Sequence, residues 1–187
     1  MIVVIGIIVV IVVGIIGWLI WQRQQVWKKI STDLSIRGDV QILDMSIGNG
    51  KTFINLAKQL TAPGKIMGIV KNEKQAQQAK GLIKEEAVAD RAKVELTDNT
   101  NLPFTDHQFD YVLISDLQQV KPAITQGRVL QEAIRVLAFK GTIVITATTV
   151  QRYRQLLEYY RFKDIKVKQI GGQRVICLLY TSDAADE

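Results

Sequence analysis

The chain has 187 residues, which leaves room for one domain of ordinary size and an appendage. Its formal net charge of +6 is compatible with binding to nucleic acid, with binding to an anionic lipid surface, or with a surface that is simply solvated. No basic motif interleaved with aromatic residues is present, so the lipid surface and plain solvation are favoured over RNA or DNA.

The chain opens with an apolar segment. Residues 2–21, IVVIGIIVVIVVGIIGWLIW, carry no charge and as a helix would cross about 30 Å of hydrocarbon. A cleaved signal peptide would have a basic start and a shorter apolar run, and a buried core helix is the remaining alternative. Basic side chains follow at Arg23, Lys28 and Lys29, and the positive-inside rule then places the rest of the chain in the cytoplasm. We therefore expect an uncleaved, single transmembrane helix that acts as a signal-anchor.

After a polar juxtamembrane linker, residues 22–39, the chain alternates short β-branched runs with longer helical patterns over residues 40–176. Strands are predicted at 40–45, 65–70, 92–97, 109–115, 141–147, 162–170 and from 173 onward, and helices at 51–60, 73–87, 124–137 and 150–160. Such alternation predicts an α/β domain with a doubly wound, mostly parallel seven-stranded sheet. In FKDIKVKQI, apolar residues alternate with Lys, which is typical of a protected edge strand.

The last eleven residues, CLLYTSDAADE, form a polar tail that is unusual after a strand. They match the translation of a DNA string that resembles a transposon adapter used in sequencing libraries. We interpret residues 177–187 as a sequencing scar and expect the natural protein to continue past Ile176 with other residues. The only cysteine, Cys177, then carries no information on redox chemistry, and loss of the three acidic residues of the tail raises the net charge from +6 to +9.

The stretch VQILDMSIGNGKTF runs from the first strand into a glycine loop, and three kinds of nucleotide loop begin in this way. A P-loop needs a glycine five positions before its Gly-Lys-Thr, where this chain has Met45. A dinucleotide loop needs a third glycine, where this chain has Phe53. The remaining pattern is an acid at the strand end, Asp44, followed by glycines four and six positions later.

The segment after the third strand decides between these loops. Asp98 is followed by NLPF, an acidic turn and the FD that opens the fourth strand. With ILDMSIGNG before it and LQEAIRVLAFKGTIVIT after it, in this order and spacing, the chain resembles the class I S-adenosylmethionine-dependent methyltransferases of small molecules and quinones. The resemblance covers about residues 40–176. It implies a Rossmann-like methyltransferase fold and S-adenosylmethionine as cofactor, and no metal site is predicted.

The resemblance implies a cofactor site built from the loops at the carboxyl ends of the strands. Asp44 would fix the first loop and the ammonium group of the cofactor. A glycine loop suits this task because side chains would hold the ligand away. The backbone that would approach the methionine part belongs to Ser46, Ile47, Gly48, Asn49 and Gly50.

Three further contacts are implied by the resemblance. Asp98 would accept a hydrogen bond from the adenine amino group, although an Asp here is also suited to cap a turn. Asn99 would offer its backbone N–H to the adenine ring. Ser115, at the end of the fourth strand, would lie beside the methionine part, although it is equally suited simply to end the strand. The LPF triplet is expected to pack rather than to contact the ligand.

Two positions depart from the family pattern. The family has glycine where Ser46 stands. It also has an acid that holds both ribose hydroxyls at the end of the second strand, where this chain has Val70 followed by Lys71. Losing a charged acceptor should weaken binding by roughly 1.5 to 3 kcal/mol. The neighbouring Asn72 offers a weaker substitute.

The sequence contains few residues that indicate how the methyl acceptor is bound or activated. Methyl transfer depends largely on positioning, and a base is needed only if the acceptor loses a proton. Asp116 is the candidate base, though it is equally suited to cap the next turn, whereas His107, the only histidine, is expected to be a solvated turn residue. The segment SDLQQV lacks the Asn/Asp-Pro-Pro-aromatic signature of enzymes that methylate amines of nucleic acids.

The sequence therefore predicts a membrane-anchored S-adenosylmethionine-dependent methyltransferase that acts on a small or lipidic acceptor at the cytoplasmic face. An alternative is a non-catalytic module that keeps the fold and binds a partner, which the departures at Val70 and Ser46 favour. A third is an RNA methyltransferase held at the membrane.

Overall fold

A computed structural model describes residues 11–15, 17, 18, 29, 32, 36, 38–115, 117–147, 151–160, 165–170 and 173–179. The strands are β1 Gln41–Asp44, β2 Lys65–Val70, β3 Ala92–Leu96, β4 Phe109–Ser115, β5 Leu137–Ala147, β6 Ile165–Ile170 and β7 Gln173–Leu179. The helices are α1 Lys51–Ala57, α2 Glu73–Glu85, α3 Ala123–Val136 and α4 Gln151–Tyr159, with a 3-10 turn at Leu117–Gln119.

The strands form one seven-stranded sheet in the order β3-β2-β1-β4-β5-β7-β6. Strands β1 to β5 pair in parallel, and β7 runs antiparallel to both β5 and β6. The predicted mostly parallel, Rossmann-like sheet is confirmed. The strand order reverses between β1 and β4, and in open α/β sheets the crevice at the carboxyl ends of such a pair binds the ligand.

Two apolar clusters cover the two faces of the sheet. Neighbouring residues of β1 alternate between them: Ile42 joins the cluster that contains residues of α1 and α2, and Leu43 joins the one that contains residues of α3 and α4. Both side chains are fully buried, and burial of such a side chain contributes about 1.5–3 kcal/mol. Helices on both faces confirm the doubly wound arrangement.

Most predicted elements agree with the structure to within a few residues, and β5 differs most. It begins at Leu137, immediately after α3 and four residues before the predicted start at 141. Leu137 is buried and pairs with Phe109 of β4. A residue that also continues the apolar stripe of α3 is therefore part of the sheet. Strand β6 lies at the sheet edge, which confirms the prediction from its alternating lysines.

The packed domain begins before residue 40. Ile36 is 1% exposed and belongs to the cluster under α1 and α2. Gly38 forms a parallel bridge with Leu60 and accepts a hydrogen bond of 2.9 Å from the Thr61 backbone N–H. The end of the predicted linker is therefore part of the domain. At the other end, β7 runs to Leu179, three residues into the tail.

The predicted anchor, residues 2–21, lies mostly outside the described residues. Residues 11–15, 17 and 18 are helical. Among the residues that the structure describes, no helix combines the length and the apolar character needed to cross a membrane. The anchor remains a prediction from the sequence.

Candidate functional site

The glycine loop between β1 and α1 adopts a conformation that requires its glycines. Gly48 has φ +56° and Gly50 has φ +79°, a region that other residues occupy only with strain. The Gly50 N–H donates to Ile47 O at 2.8 Å, which closes the turn, and Gly50 then caps α1. The loop therefore presents mainly backbone at the switch point, as a close-fitting ligand requires.

Asp44 lies at the carboxyl end of β1 and is 4% exposed. Its Oδ1 accepts a hydrogen bond of 3.0 Å from the Ser46 backbone N–H. Burial raises the pKa of this carboxyl to about 6, against the lowering effect of the Ser46 hydrogen bond. This hydrogen bond holds the start of the loop, and a buried carboxylate here would favour a positively charged group beside it.

The side chain of Ile47 lies in the core, whereas the prediction for this residue concerned only its backbone. Its side chain is 7% exposed and belongs to the core cluster under α1 and α2. A Cβ added at Gly68 of β2 would meet Ile47 Cγ2 at 2.5 Å and Phe53 Cε2 at 2.8 Å. Gly68 thus lets the loop close onto β2, and only the backbone of Ile47 remains for a ligand.

The end of β2 departs most from the predicted site. The Val70 side chain is 1% exposed and packed in the same core cluster, so it offers no surface to a ribose. Lys71 is exposed, and its backbone N–H donates to Gln75 Oε1 at 3.1 Å. Asn72, the suggested substitute, caps α2 because its Oδ1 accepts from the Gln75 N–H at 2.9 Å. None of these side chains replaces the missing acid in this geometry.

The loop after β3 carries Asp98 and Asn99 in different settings. Asp98 is exposed, and its Oδ1 caps a turn by accepting from the Thr100 N–H at 3.0 Å. Asn99 is 4% exposed, and its Nδ2 donates to Met45 O at 2.9 Å. Asn99 Oδ1 has no partner among the described residues. The sequence predicted only a backbone role for Asn99, because a polar residue in a polar loop carries no signal of burial.

Ser115 is half-buried at the end of β4, where it pairs with Thr146 of β5. The candidate base Asp116 lies outside the described residues. His107 precedes β4 and so lies at the amino ends of the strands, opposite the predicted site. Its Nδ1 is 3.0 Å from Leu137 O and its ring stacks on Phe139 with centroids 4.0 Å apart. His107 is therefore confirmed as a turn residue.

A set of contacts that was not predicted holds the loop from residue 102 to 106. The Arg135 guanidinium donates to Phe104 O at 2.8 Å and to Leu102 O at 3.1 Å. Glu132 accepts from the Leu102 N–H at 2.8 Å, and its pKa lies below the ordinary value because Arg135 donates to it. Phe104 meets Phe109 edge to face with centroids 5.1 Å apart and Leu102 is buried, so these two residues of the LPF triplet pack as expected, whereas Pro103 is exposed. The signal was present in LQEAIRVL, where Glu and Arg stand three residues apart.

A second unpredicted network lies beside the segment after β4. The Tyr153 hydroxyl of α4 donates to Gln126 Oε1 of α3 at 3.0 Å. Gln126 Nε2 donates in turn to Val120 O at 3.0 Å. The network ties the segment that follows Ser115 to two helices. Among the described residues, no three His, Cys, Asp or Glu side chains are placed to hold a metal ion.

Comparison with known proteins gives the family. A family model described as "Methyltransferase domain" matches residues 36–177. Demethylmenaquinone methyltransferase of Staphylococcus aureus (strain MRSA252) is 29% identical over 145 residues, which cover 75% of this chain and 58% of that protein. The chain spans about half the length of the curated relatives that it matches.

Solved structures agree on the fold. A S-adenosylmethionine-dependent methyltransferase from Aquifex aeolicus is similar with a TM-score of 0.71 at 15% identity, covering 83% of this chain and 89% of that one. The cyclase SpnF is similar with a TM-score of 0.69 at 15% identity, covering 84% of this chain and 81% of that one. At such identities the likeness shows the fold alone.

The residues present fit S-adenosylmethionine in part. The positive φ angles of Gly48 and Gly50 and the buried carboxyl of Asp44 suit the methionine part, and the exposed Asp98 suits the adenine amino group. The buried Val70 leaves the ribose without its usual acid. The chain belongs to the family of methyltransferase domains, in which S-adenosylmethionine is the implied cofactor.

Proposed function

We propose that the chain is a membrane-anchored methyltransferase that moves a methyl group from S-adenosylmethionine to a small or lipidic acceptor at the cytoplasmic face of a membrane. The observation that carries the proposal is the glycine loop at the switch point of the sheet. It combines two positive φ angles with the buried carboxyl of Asp44.

The acceptor is proposed to be a quinone-like lipid. This proposal is supported by the relatives that bear the name demethylmenaquinone methyltransferase. Ile124, in the first turn of α3, is 79% exposed and lies after β4, toward the carboxyl edge that carries the site. An exposed aliphatic side chain there would suit an apolar acceptor.

The membrane part of the proposal rests on the sequence. The charge-free segment at residues 2–21 is long enough to span a bilayer, and basic residues follow it directly. Exposed basic side chains on α4 and β6, Arg154, Lys166 and Lys168, would meet anionic head groups, at roughly 1 kcal/mol for each charge near the surface. The anchor would raise the effective concentration of a lipidic acceptor.

The chain contributes mainly positioning to the chemistry. When bound, S-adenosylmethionine supplies an electrophilic methyl group, so the protein must align the acceptor in line with the breaking carbon–sulfur bond. Ser115 ends β4, and Gln126 and Tyr153 tie down the segment that follows it. The acceptor is proposed to approach on this side. A base is required only if the acceptor loses a proton, and Asp116 stays the candidate.

A second candidate function is a binding module without methyl transfer. The buried Val70 favours it because the ribose loses a charged acceptor. The likeness to a protein named as a cyclase also shows that this fold carries other activities.

The first test is a calorimetric titration of the full chain in detergent with S-adenosylhomocysteine. Binding is expected, and Asp98→Ala is expected to weaken it by about 1–3 kcal/mol because the adenine amino group loses its acceptor. Asp39→Ala, which changes an exposed Asp on the far side of β1, is the matched control. Unchanged affinity of the Asp98 variant would remove Asp98 from the site.

The second test separates transfer from binding. Full-length protein in vesicles would be given methyl-labelled S-adenosylmethionine with either a lipid extract rich in demethylated quinones or a pool of water-soluble metabolites. Label in the lipid phase is expected. Label only in the soluble pool would reject a lipidic acceptor, and binding without any transfer would favour the module.

A further inference from the structure

Asn99 is a buried polar side chain with only half of its carboxamide engaged. Its Nδ2 donates to Met45 O at 2.9 Å, while its Oδ1 is enclosed and has no partner among the described residues. Leaving a buried acceptor unpaired costs free energy, so native proteins rarely retain one without a reason. A donor from a ligand would supply that reason.

The position of this carboxamide follows from the strand order. Asn99 follows β3 and Met45 follows β1, and β2 lies between these two strands. The Thr97 N–H donates to Val70 O at 3.2 Å, so the chain leaves β3 directly beside the last residue of β2. The Asn99 side chain must therefore cross the carboxyl end of β2, above Val70.

The same crossing point is where a bound cofactor would place its ribose. The glycine loop after β1 suits the methionine part, and Asp98 after β3 suits the adenine. The ribose joins these two parts and must pass over the end of β2. At that place Val70 faces the core and Asn72 caps α2, so neither side chain offers an acceptor.

We propose that Asn99 Oδ1 accepts a hydrogen bond from a ribose hydroxyl of the cofactor and so takes the role of the acid that Val70 replaces. The amide oxygen comes from the neighbouring strand rather than from β2. Its hydrogen bond to Met45 O keeps the carboxamide oriented, with Nδ2 toward the start of the glycine loop and Oδ1 left for the ligand. The inference rests on the proposed binding of S-adenosylmethionine.

Because Oδ1 is enclosed, a hydroxyl reaches it only when neighbouring groups at the sheet edge shift. In the adjoining loop from residue 45 to 50, Asp44 and the hydrogen bond from Gly50 to Ile47 hold the backbone, whereas the side chains of Ser46 and Asn49 are at least partly exposed. Binding is therefore coupled to a local rearrangement around Asn99 Oδ1.

The test compares ligands that differ only in the ribose. The full chain in detergent is titrated calorimetrically with S-adenosylhomocysteine and with its 2′,3′-dideoxy analogue. The unchanged protein is expected to prefer the ribose form by about tenfold, which corresponds to about 1.4 kcal/mol. In Asn99→Ala this preference should fall below about twofold, because the acceptor is gone. Asn101→Ala, an exposed Asn in the same loop, is the matched control and should keep the full preference.

Asn99→Asp separates the acceptor from the contact with Met45. This variant keeps an oxygen acceptor but loses the Nδ2 donor, so the preference for the ribose form should persist even if thermal unfolding without ligand shows a less stable protein. A tenfold preference retained in Asn99→Ala, or lost equally in Asn99→Asp, overturns the inference while leaving cofactor binding intact. No binding of S-adenosylhomocysteine to the unchanged protein overturns both the inference and the proposed function.

Discussion

Arg135 donates two hydrogen bonds to the carboxylate of Glu132, from Nε to Oε1 at 2.8 Å and from Nη2 to Oε2 at 2.8 Å. The same guanidinium reaches two backbone carbonyl groups of the loop that follows Asn99, at Leu102 and Phe104. One planar cation thus joins α3 to the loop beside the cofactor site, which a lysine ammonium cannot do in the same geometry.

Replacing this guanidinium should lower stability. Arg135→Lys keeps the charge but loses the planar guanidinium that donates several hydrogen bonds at once. The free energy of unfolding, measured by urea denaturation, is therefore expected to fall by about 1–3 kcal/mol. Arg154→Lys is the control, because its pair with Glu158 is half-exposed and should change stability by less than about 0.5 kcal/mol. Equal losses in the two variants would show that the contacts with the loop contribute nothing.

The buried carboxyl of Asp44 should make stability depend on pH. Its pKa is about 6 in the folded protein against 3.8 for the free group, so between these values the folded state holds a proton that the unfolded state has lost. The contribution of Asp44 to the free energy of unfolding should therefore be largest below about pH 4 and should fall as pH rises to 6, by at most about 3 kcal/mol.

Asp44→Asn is the variant that checks this effect. Its amide does not titrate, so the decline in stability between pH 4 and 6 should flatten, measured by thermal unfolding of the protein without ligand across that range. Asp39→Asn, an exposed Asp near the start of the same strand, should leave the decline unchanged. A decline of the same size in Asp44→Asn would assign it to other groups.

Restoring the acid of the family at Val70 has two opposing consequences. The family pattern, with an acid at this position, predicts that Val70→Asp tightens cofactor binding. The side chain is 1% exposed in an apolar cluster, so an unpaired carboxylate there should also destabilise the fold by several kcal/mol. We expect a marked loss in thermal stability that added S-adenosylhomocysteine partly recovers. Val70→Thr, which keeps the shape, is the control, and an undiminished melting temperature in Val70→Asp would show that the position opens to solvent.

Any side chain at position 50 should destabilise the fold. The φ of +79° at Gly50 is strained for other residues, and an added Cβ would lie 2.8 Å from Leu82 Cδ1. Gly50→Ala is expected to cost at least about 1–2 kcal/mol in the free energy of unfolding, and adding Leu82→Ala should remove only the part due to the clash. Gly81→Ala is the contrast, because a Cβ at this helical position meets nothing within 4 Å and should stabilise α2 by about 0.5–1 kcal/mol.

How closely the sequence predicted each element depended on what defines its ends. The bounds of β2 and β4 were predicted to the residue, because their apolar runs are bounded by polar or turn residues. The start of β5 was missed by four residues because Leu137 fits the apolar stripe of α3 and the register of the sheet equally well. The apolar periodicity could not decide between the helix and the sheet, because Leu137 would be buried in either one.

The sequence by itself determined the order of strands and helices, the glycine loop after β1 and membership of the methyltransferase family, because each depends on neighbouring residues in the chain. The tertiary structure alone decided that Val70 faces the core and that Asn99 reaches Met45, 54 residues away in the chain. It also decided that Arg135 holds Phe104, 31 residues away. Such contacts depend on which strands become neighbours and which face of the sheet each residue meets, and the burial of the whole sheet, rather than any local pattern, settles both.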